Sequence, residues 1–212
     1  MAFDYKKEYK NLYHPKKQPE IIKIPKMNYI AVSGSGDPNQ EDGTYHKALE
    51  LLYGLAYTIK MSKKNEHKIP GYFDYVVPPL EGLWWSKDKQ KIDYAHKENF
   101  AWISMIRLPD FVTEKEFNWA VKTATEKKKQ DFSQVKFFTY DEGLCAQVMH
   151  IGSYDDEPAT IEEIHRFVKK ENYKENYQID IQNPRYHHEI YLSDPRRTKT
   201  ERRKTVIRLP IK

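Results

Sequence analysis

His187-His188-Glu189-Ile190-Tyr191-Leu192-Ser193 alternates with the two-residue period of a β-strand. One face carries His188, Ile190 and Leu192, which suits burial under helices. The other carries His187, Glu189, Tyr191 and Ser193, which suits solvent or a ligand groove. Working outward, further strands read at 20–32 (broken at Pro25), 99–108, 136–140, 144–151 and 205–211. Tyr72–Val77 and Leu80–Ser86 flank Pro78-Pro79 as a hairpin, and Asp141-Glu142-Gly143 is the turn between 136–140 and 144–151. A helix spans 44–59, with Tyr45, Ala48, Leu49, Leu52, Leu55, Ala56 and Ile59 on one face. A second starts at Thr113, and a third at Thr160 reaches Glu171; both open on capping-box patterns. Strands and helices in this order predict an α+β fold, an antiparallel sheet with helices on one face.

The chain has 212 residues, 39% hydrophobic and 14% aromatic, with 16 Tyr. That is enough for a real core, and the aromatic excess favours surfaces that hold planar ligands. Residues 20–212 read as one domain after an N-terminal extension over 1–19. No apolar leader opens the chain and no run approaches a membrane span, so a soluble cytoplasmic protein is expected. The net charge of +5 is local: eight Lys/Arg lie between Pro195 and Lys212 against Glu201 alone, leaving 28 basic and 30 acidic residues before them. A solvated tail explains that run better than a nucleic-acid-binding face.

Several chemistries lack their residues. Gly34-Ser35-Gly36 is not followed by the glycine and Lys-Ser/Thr of a phosphate loop, and no nucleophile elbow occurs. The single cysteine, Cys145, lies in an apolar strand and reads as a packed thiol. His187 and His188 point to opposite strand faces and cannot chelate one metal together. Neither a metal nor a cofactor is expected. Aromatics recur near the ends of other strands: Trp84, Trp85, Trp102 and Tyr154. A glutamate among such rings can balance a cationic ligand, or serve as a base toward a held water.

The segments Ala146–Tyr154 and Tyr186–Arg197, with Pro78-Pro-Leu-Glu-Gly-Leu-Trp-Trp85, resemble the GyrI-like small-molecule-binding proteins, and the first half is similar to their stand-alone subfamily. The resemblance runs from about residue 20 to the C-terminus. It implies a pseudo-twofold pair of β-α-β-β units, here about 20–98 and 99–212, with helices on one face and a groove on the other. It also implies that Glu189 sits at the groove centre. Part of that subfamily hydrolyses the cyclopropane of DNA-alkylating natural products in an aromatic cage, for which Trp85, Trp102, Tyr154 and Tyr191 are the candidate rings. The charged stretch Lys60–Lys68 and the missing helix-turn-helix depart from the regulators of this fold.

The expected function is binding of planar aromatic xenobiotics with hydrolysis of an activated cyclopropane, a detoxifying activity. The catalytic candidates are Glu189, Tyr191 and Glu157; the ligand-binding candidates are Trp85, Trp102, Tyr154, Trp84 and His187. A non-catalytic drug-sequestering protein is the alternative. The partner is a small aromatic molecule, with neither nucleic acid nor membrane expected, and the oligomeric state is left open.

Overall fold

A computed structural model describes residues 2–64, 67–88, 92–178 and 184–212. Asn65 and Glu66 of the charged stretch, and residues 89–91 of the connector before the fourth strand, lie outside them. The strands are β1 (Glu20–Ile24), β2 (Met27–Ser35), β3 (Leu80–Ser86), β4 (Phe100–Arg107), β5 (Lys136–Tyr140), β6 (Gly143–Ile151), β7 (His187–Tyr191) and β8 (Lys204–Pro210). Two one-turn helices, α1 (Tyr5–Glu8) and α2 (Lys10–Tyr13), precede them; α3 (Thr44–Lys60), α4 (Glu114–Lys128) and α5 (Glu157–Lys170) are the long helices. The strands form one antiparallel sheet in the order β1-β6-β8-β7-β3-β4-β2-β5. The fold is α+β, as expected.

Two strand triplets, β6-β8-β7 and β3-β4-β2, meet at the β7–β3 pairing. Each is laid down in the chain order strand, helix, strand, strand. β4, beyond the expected division at residue 98, lies between β2 and β3 and completes the first triplet.

Both faces of the sheet are covered, which is why β2 reads as a nearly unbroken apolar run. Ile30 and Val32 face α3, whose Ala48, Leu52, Leu55, Ala56 and Ile59 recur at helical spacing to form the buried stripe. α4 joins the same core through Phe117, Ala120 and Ala124. Ile164 and Val168 of α5 pack on Val148, Ile207 and Leu209. Truncating a fully buried member such as Leu52 to Ala would cost about 2–5 kcal/mol. The opposite face, bearing Tyr29, Leu83, Ile190 and Val206, is closed by Tyr5, Leu12 and Tyr13 of the N-terminal extension and by Tyr75.

That opposite face also buries a charge network. His188 bridges Glu142 (Nδ1 to Oε1, 2.8 Å) and Glu81 (Nε2 to Oε2, 3.0 Å). Arg208 donates to Glu142 (3.1 Å), to Gln147 (3.1 Å) and to the Leu12 carbonyl (2.6 Å). Gln147 in turn donates to the Asn11 carbonyl. Burial opposes charge on His188, but Glu142 and Glu81 outweigh it and lift its pKa to about 9; Glu142, flanked by His188 and Arg208, falls to about 2. The network anchors α2 to the sheet through the carbonyls of Asn11 and Leu12.

Four expectations are corrected. Tyr72–Val77 forms no hairpin with β3, because β3 is paired on both sides, with β4 and β7, and Tyr75 only bridges Phe3. β5 and β6 are not a hairpin either: β5 pairs with β2 at one sheet edge, whereas β6 lies between β1 and β8. α5 starts at Glu157 instead of Thr160, with Pro158 in its first turn, where a missing N–H costs nothing. Thr160 Oγ1 instead pairs with His150 Nδ1 at 2.8 Å. Arg208, counted with the solvated tail, is wholly buried in the charge network.

Candidate functional site

Opposite residues of an antiparallel pair share a face. Trp84 opposes His187 and Trp102, Gly82 opposes Glu189, and Glu189 opposes Ile207. These side chains therefore lie on the face covered by α3 and α5. The expected groove on the face away from the helices is corrected accordingly: the cavity is on the helix face, beside α3, and His188, Ile190 and Leu192 are not on the side covered by the long helices. The helices separate here because α3 and α4 pack over the β3-β4-β2 triplet and α5 over the β6-β8-β7 triplet, leaving the β7–β3 seam open to the cavity.

The cavity has a volume of about 910 Å³. Tyr45, Tyr53 and Tyr57 of α3 form one wall; Tyr94 and Phe100 form another; Trp84, Tyr191 and Glu189 form the floor, with Tyr154 beside them. Flat aromatic molecules fit such walls by stacking and edge contacts.

Glu189 is buried and fully engaged. Its Oε1 lies 2.9 Å from His187 Nε2, and its Oε2 accepts from the Tyr191 hydroxyl at 2.6 Å. Tyr191 in turn accepts from the Trp84 indole N–H at 2.8 Å. Gly82 makes this chain of bonds sterically feasible, since a Cβ there would lie 2.5 Å from Trp84 Nε1. Burial works against ionising Glu189, but hydrogen bonds from His187, Tyr191 and Glu157 prevail and hold its pKa below the ordinary carboxylate value. Glu157, at the start of α5, goes the other way. Its own burial and the adjacent negative charge of Glu189 push its pKa well above that value. The proton affinities of the two adjacent carboxylates are thus pushed in opposite directions, an arrangement suited to passing a proton between them.

The remaining sequence candidates divide by face. Tyr154 meets Tyr191 edge-on at 5.8 Å. Trp102 is buried beneath the cavity, edge-on to Tyr45 at 5.1 Å, under Gly34, where a Cβ would collide with its ring at 2.3 Å. Trp85 lies on the opposite face, stacked on Tyr186 at 4.1 Å and away from the cavity, whereas Trp84 lines it. Among the described residues, no cluster of three or more His, Cys, Asp or Glu is arranged to hold a metal ion. No helix there is long and apolar enough to cross a membrane. Cys145 is buried, which pushes its thiol pKa well up.

A model of the GyrI-like small molecule binding domain matches residues 17–212. The chain belongs to the GyrI-like family. Among solved structures, an uncharacterized conserved protein from Listeria innocua is 46% identical over the full length of both chains, with a TM-score of 0.90. Two structures described as hydrolases from Listeria innocua are 44% and 45% identical, also over the whole of each chain, with TM-scores of 0.87 and 0.88. The C-terminal domain of EcmrR, 14% identical over 92% of this chain and 97% of its own, shares the fold alone at a TM-score of 0.54. No curated protein matches.

Among GyrI-like features, the sequence reading missed the tyrosines of the cavity wall. Tyr45 was read as part of a helix stripe, whereas Tyr53 and Tyr57 lie on its exposed shoulder. The spacing of Tyr45, Tyr53 and Tyr57, eight and four residues apart on α3, was the available signal. Tyr94 sits in a polar connector that offered none.

Proposed function

We propose that this protein binds flat aromatic molecules above Glu189 and hydrolyses an activated cyclopropane conjugated to a dienone. The observation that carries the reading is the Glu189 carboxylate, held by His187 and Tyr191, on the floor of an aromatic-walled cavity. The description of two full-length relatives as hydrolases supports it. In the proposed reaction, water attacks the ring methylene and the strained C–C bond breaks. Its electron pair runs through the dienone to the carbonyl oxygen, which becomes a phenol. The proton leaving water passes to Glu189 and is returned to that oxygen.

Each neighbour then has a role. Tyr191 fixes Glu189, because its own proton is already given to that carboxylate and its oxygen accepts from Trp84. His187 holds the other carboxylate oxygen. Glu157 keeps an exchangeable proton beside the base. Trp84, Tyr154 and the α3 tyrosines stack on the substrate and exclude bulk water.

A passive drug-sequestering protein is the second reading, favoured by the low pKa of Glu189, which suits a carboxylate that only balances a cationic ligand. Turnover separates the two. With a synthetic spirocyclopropyl dienone in tenfold excess, the hydrolase reading expects the ring-opened alcohol to exceed the protein concentration many times. Product that never rises above the uncatalysed rate overturns it.

A further inference from the structure

His150 stands at the end of β6, in the row that runs across the sheet through Thr205 to Tyr191 on the cavity floor. It shares the face of Val148, which packs under α5. Its ring is buried and both nitrogens are engaged. Nε2 lies 2.9 Å from the Ser153 carbonyl oxygen, and Nδ1 lies 2.8 Å from Thr160 Oγ1. A carbonyl only accepts, so Nε2 carries the proton, and Nδ1 of the neutral ring accepts from the Thr160 hydroxyl. One side chain thus ties the end of a sheet strand to the turn that follows it and to the first turn of α5. Between the two ties lie Tyr154, which lines the cavity, and Glu157, the neighbour of Glu189. The chain leaves β6 through Gly152, whose φ of +148° suits glycine far better than other residues. The Ser153 carbonyl beyond it also accepts from the Asp156 N–H at 3.1 Å, so the His150 bond falls on the oxygen that starts the helical turn.

We propose that His150 is a positioning residue for the hydrolysis: by gripping Ser153 and Thr160 it holds Glu157 against Glu189 and the Tyr154 ring against Tyr191. This rests on the reading of Glu189 as the base of a hydrolase and adds to it the group that sets its partner's place. His150 is not among the residues that line the cavity, so it acts through Tyr154 and Glu157. The apolar contacts of α5 with the sheet, Ile164 and Val168 on Val148, Ile207 and Leu209, lie beyond its first turn. They hold the helix on the sheet, whereas the His150 bonds fix the end that carries Glu157. A proton passes between two carboxylates only within hydrogen-bond reach, so a shift of about 1 Å at Glu157 is enough to interrupt it.

Turnover of the spirocyclopropyl dienone separates this role from plain support of the fold. His150→Phe keeps the bulk and removes both bonds. Its kcat should fall at least about tenfold while KM moves less than about threefold, because Trp84 and the α3 tyrosines still hold the substrate. His150→Gln can place an amide N–H where Nε2 stood, and should recover most of the lost kcat. A His150→Gln as impaired as His150→Phe would assign the effect to packing, and a wild-type kcat in His150→Phe would show that neither bond matters; either result overturns the inference alone. Where His150→Phe does not fold, Thr160→Val decides, since it keeps the shape of threonine and removes one bond: a lowered kcat at unchanged KM supports the role, and a wild-type kcat overturns it. Absence of turnover in wild type overturns the hydrolase reading and this inference together.

Discussion

Trp84 and Trp85 are adjacent in the chain and lie on opposite faces of one sheet. Trp84 donates to Tyr191 on the cavity floor, and Trp85 stacks on Tyr186 beneath. Substituting them should therefore have separable effects. Trp84→Phe keeps apolar bulk but removes a stacking surface and a donor, so affinity for a flat aromatic ligand should fall, within the roughly 1–3 kcal/mol assigned to one stacking platform. Trp85→Ala should lower the melting temperature and leave ligand affinity per folded molecule intact. Titration calorimetry beside thermal melts checks both. An affinity loss confined to Trp85→Ala would reverse the assignment.

Tyr191 stabilises the ionised form of Glu189 through its 2.6 Å hydrogen bond. Removing that bond in Tyr191→Phe favours the protonated form, so the Glu189 pKa should rise. If ionised Glu189 is needed for turnover, the acid limb of the kcat/KM profile should move to higher pH in the variant. An unmoved limb would show that Glu189 ionisation does not govern the rate.

The buried charge network predicts how stability varies with pH. His188 has its pKa raised from 6.5 to about 9, so its stabilisation is complete below about pH 6.5 and is lost as pH rises through about 9. Glu142 has its pKa depressed from 4.5 to about 2, so its contribution is present above about pH 4.5 and is lost as pH falls toward 2. Stability should peak between about pH 4.5 and 6.5. His188→Gln should flatten the decline between about pH 6.5 and 9, whatever it does to the melting temperature at its peak. A decline equally steep in the variant would assign that pH dependence to other groups.

Arg196 and Arg197 are exposed and turn back on Asp194, at 3.0 and 3.8 Å. Duplex DNA should bind weakly at physiological salt and without sequence preference. Tight, sequence-selective retardation in a gel would contradict this.

Local patterning made most of the elements legible. α3 was bounded to within a residue at its end, because its apolar spacing and flanking turns are contained in the helix itself. The opposite-facing His187 and His188 were likewise readable from strand period alone. Strand pairing was not, because it is decided by segments far apart in sequence. The Pro78-Pro79 turn looks local, but β3 instead pairs with β4 and β7. The same limit hid the correct tryptophan. Choosing between Trp84 and Trp85 requires knowing that Gly82, and not its neighbour, stands opposite Glu189. Glu81 and Glu142 also gave no sign of burial, since their compensating charges come from β7 and β8.

The central claim is that Glu189 acts on water in a site that binds its substrate by other means. Glu189→Gln keeps the shape and much of the hydrogen bonding but cannot accept a proton at neutral pH. The account predicts that this variant still binds the spirocyclopropyl dienone and opens it at least about a hundredfold more slowly than wild type, the lower range for a lost general base. Equal rates in variant and wild type, measured at saturating substrate, would contradict it.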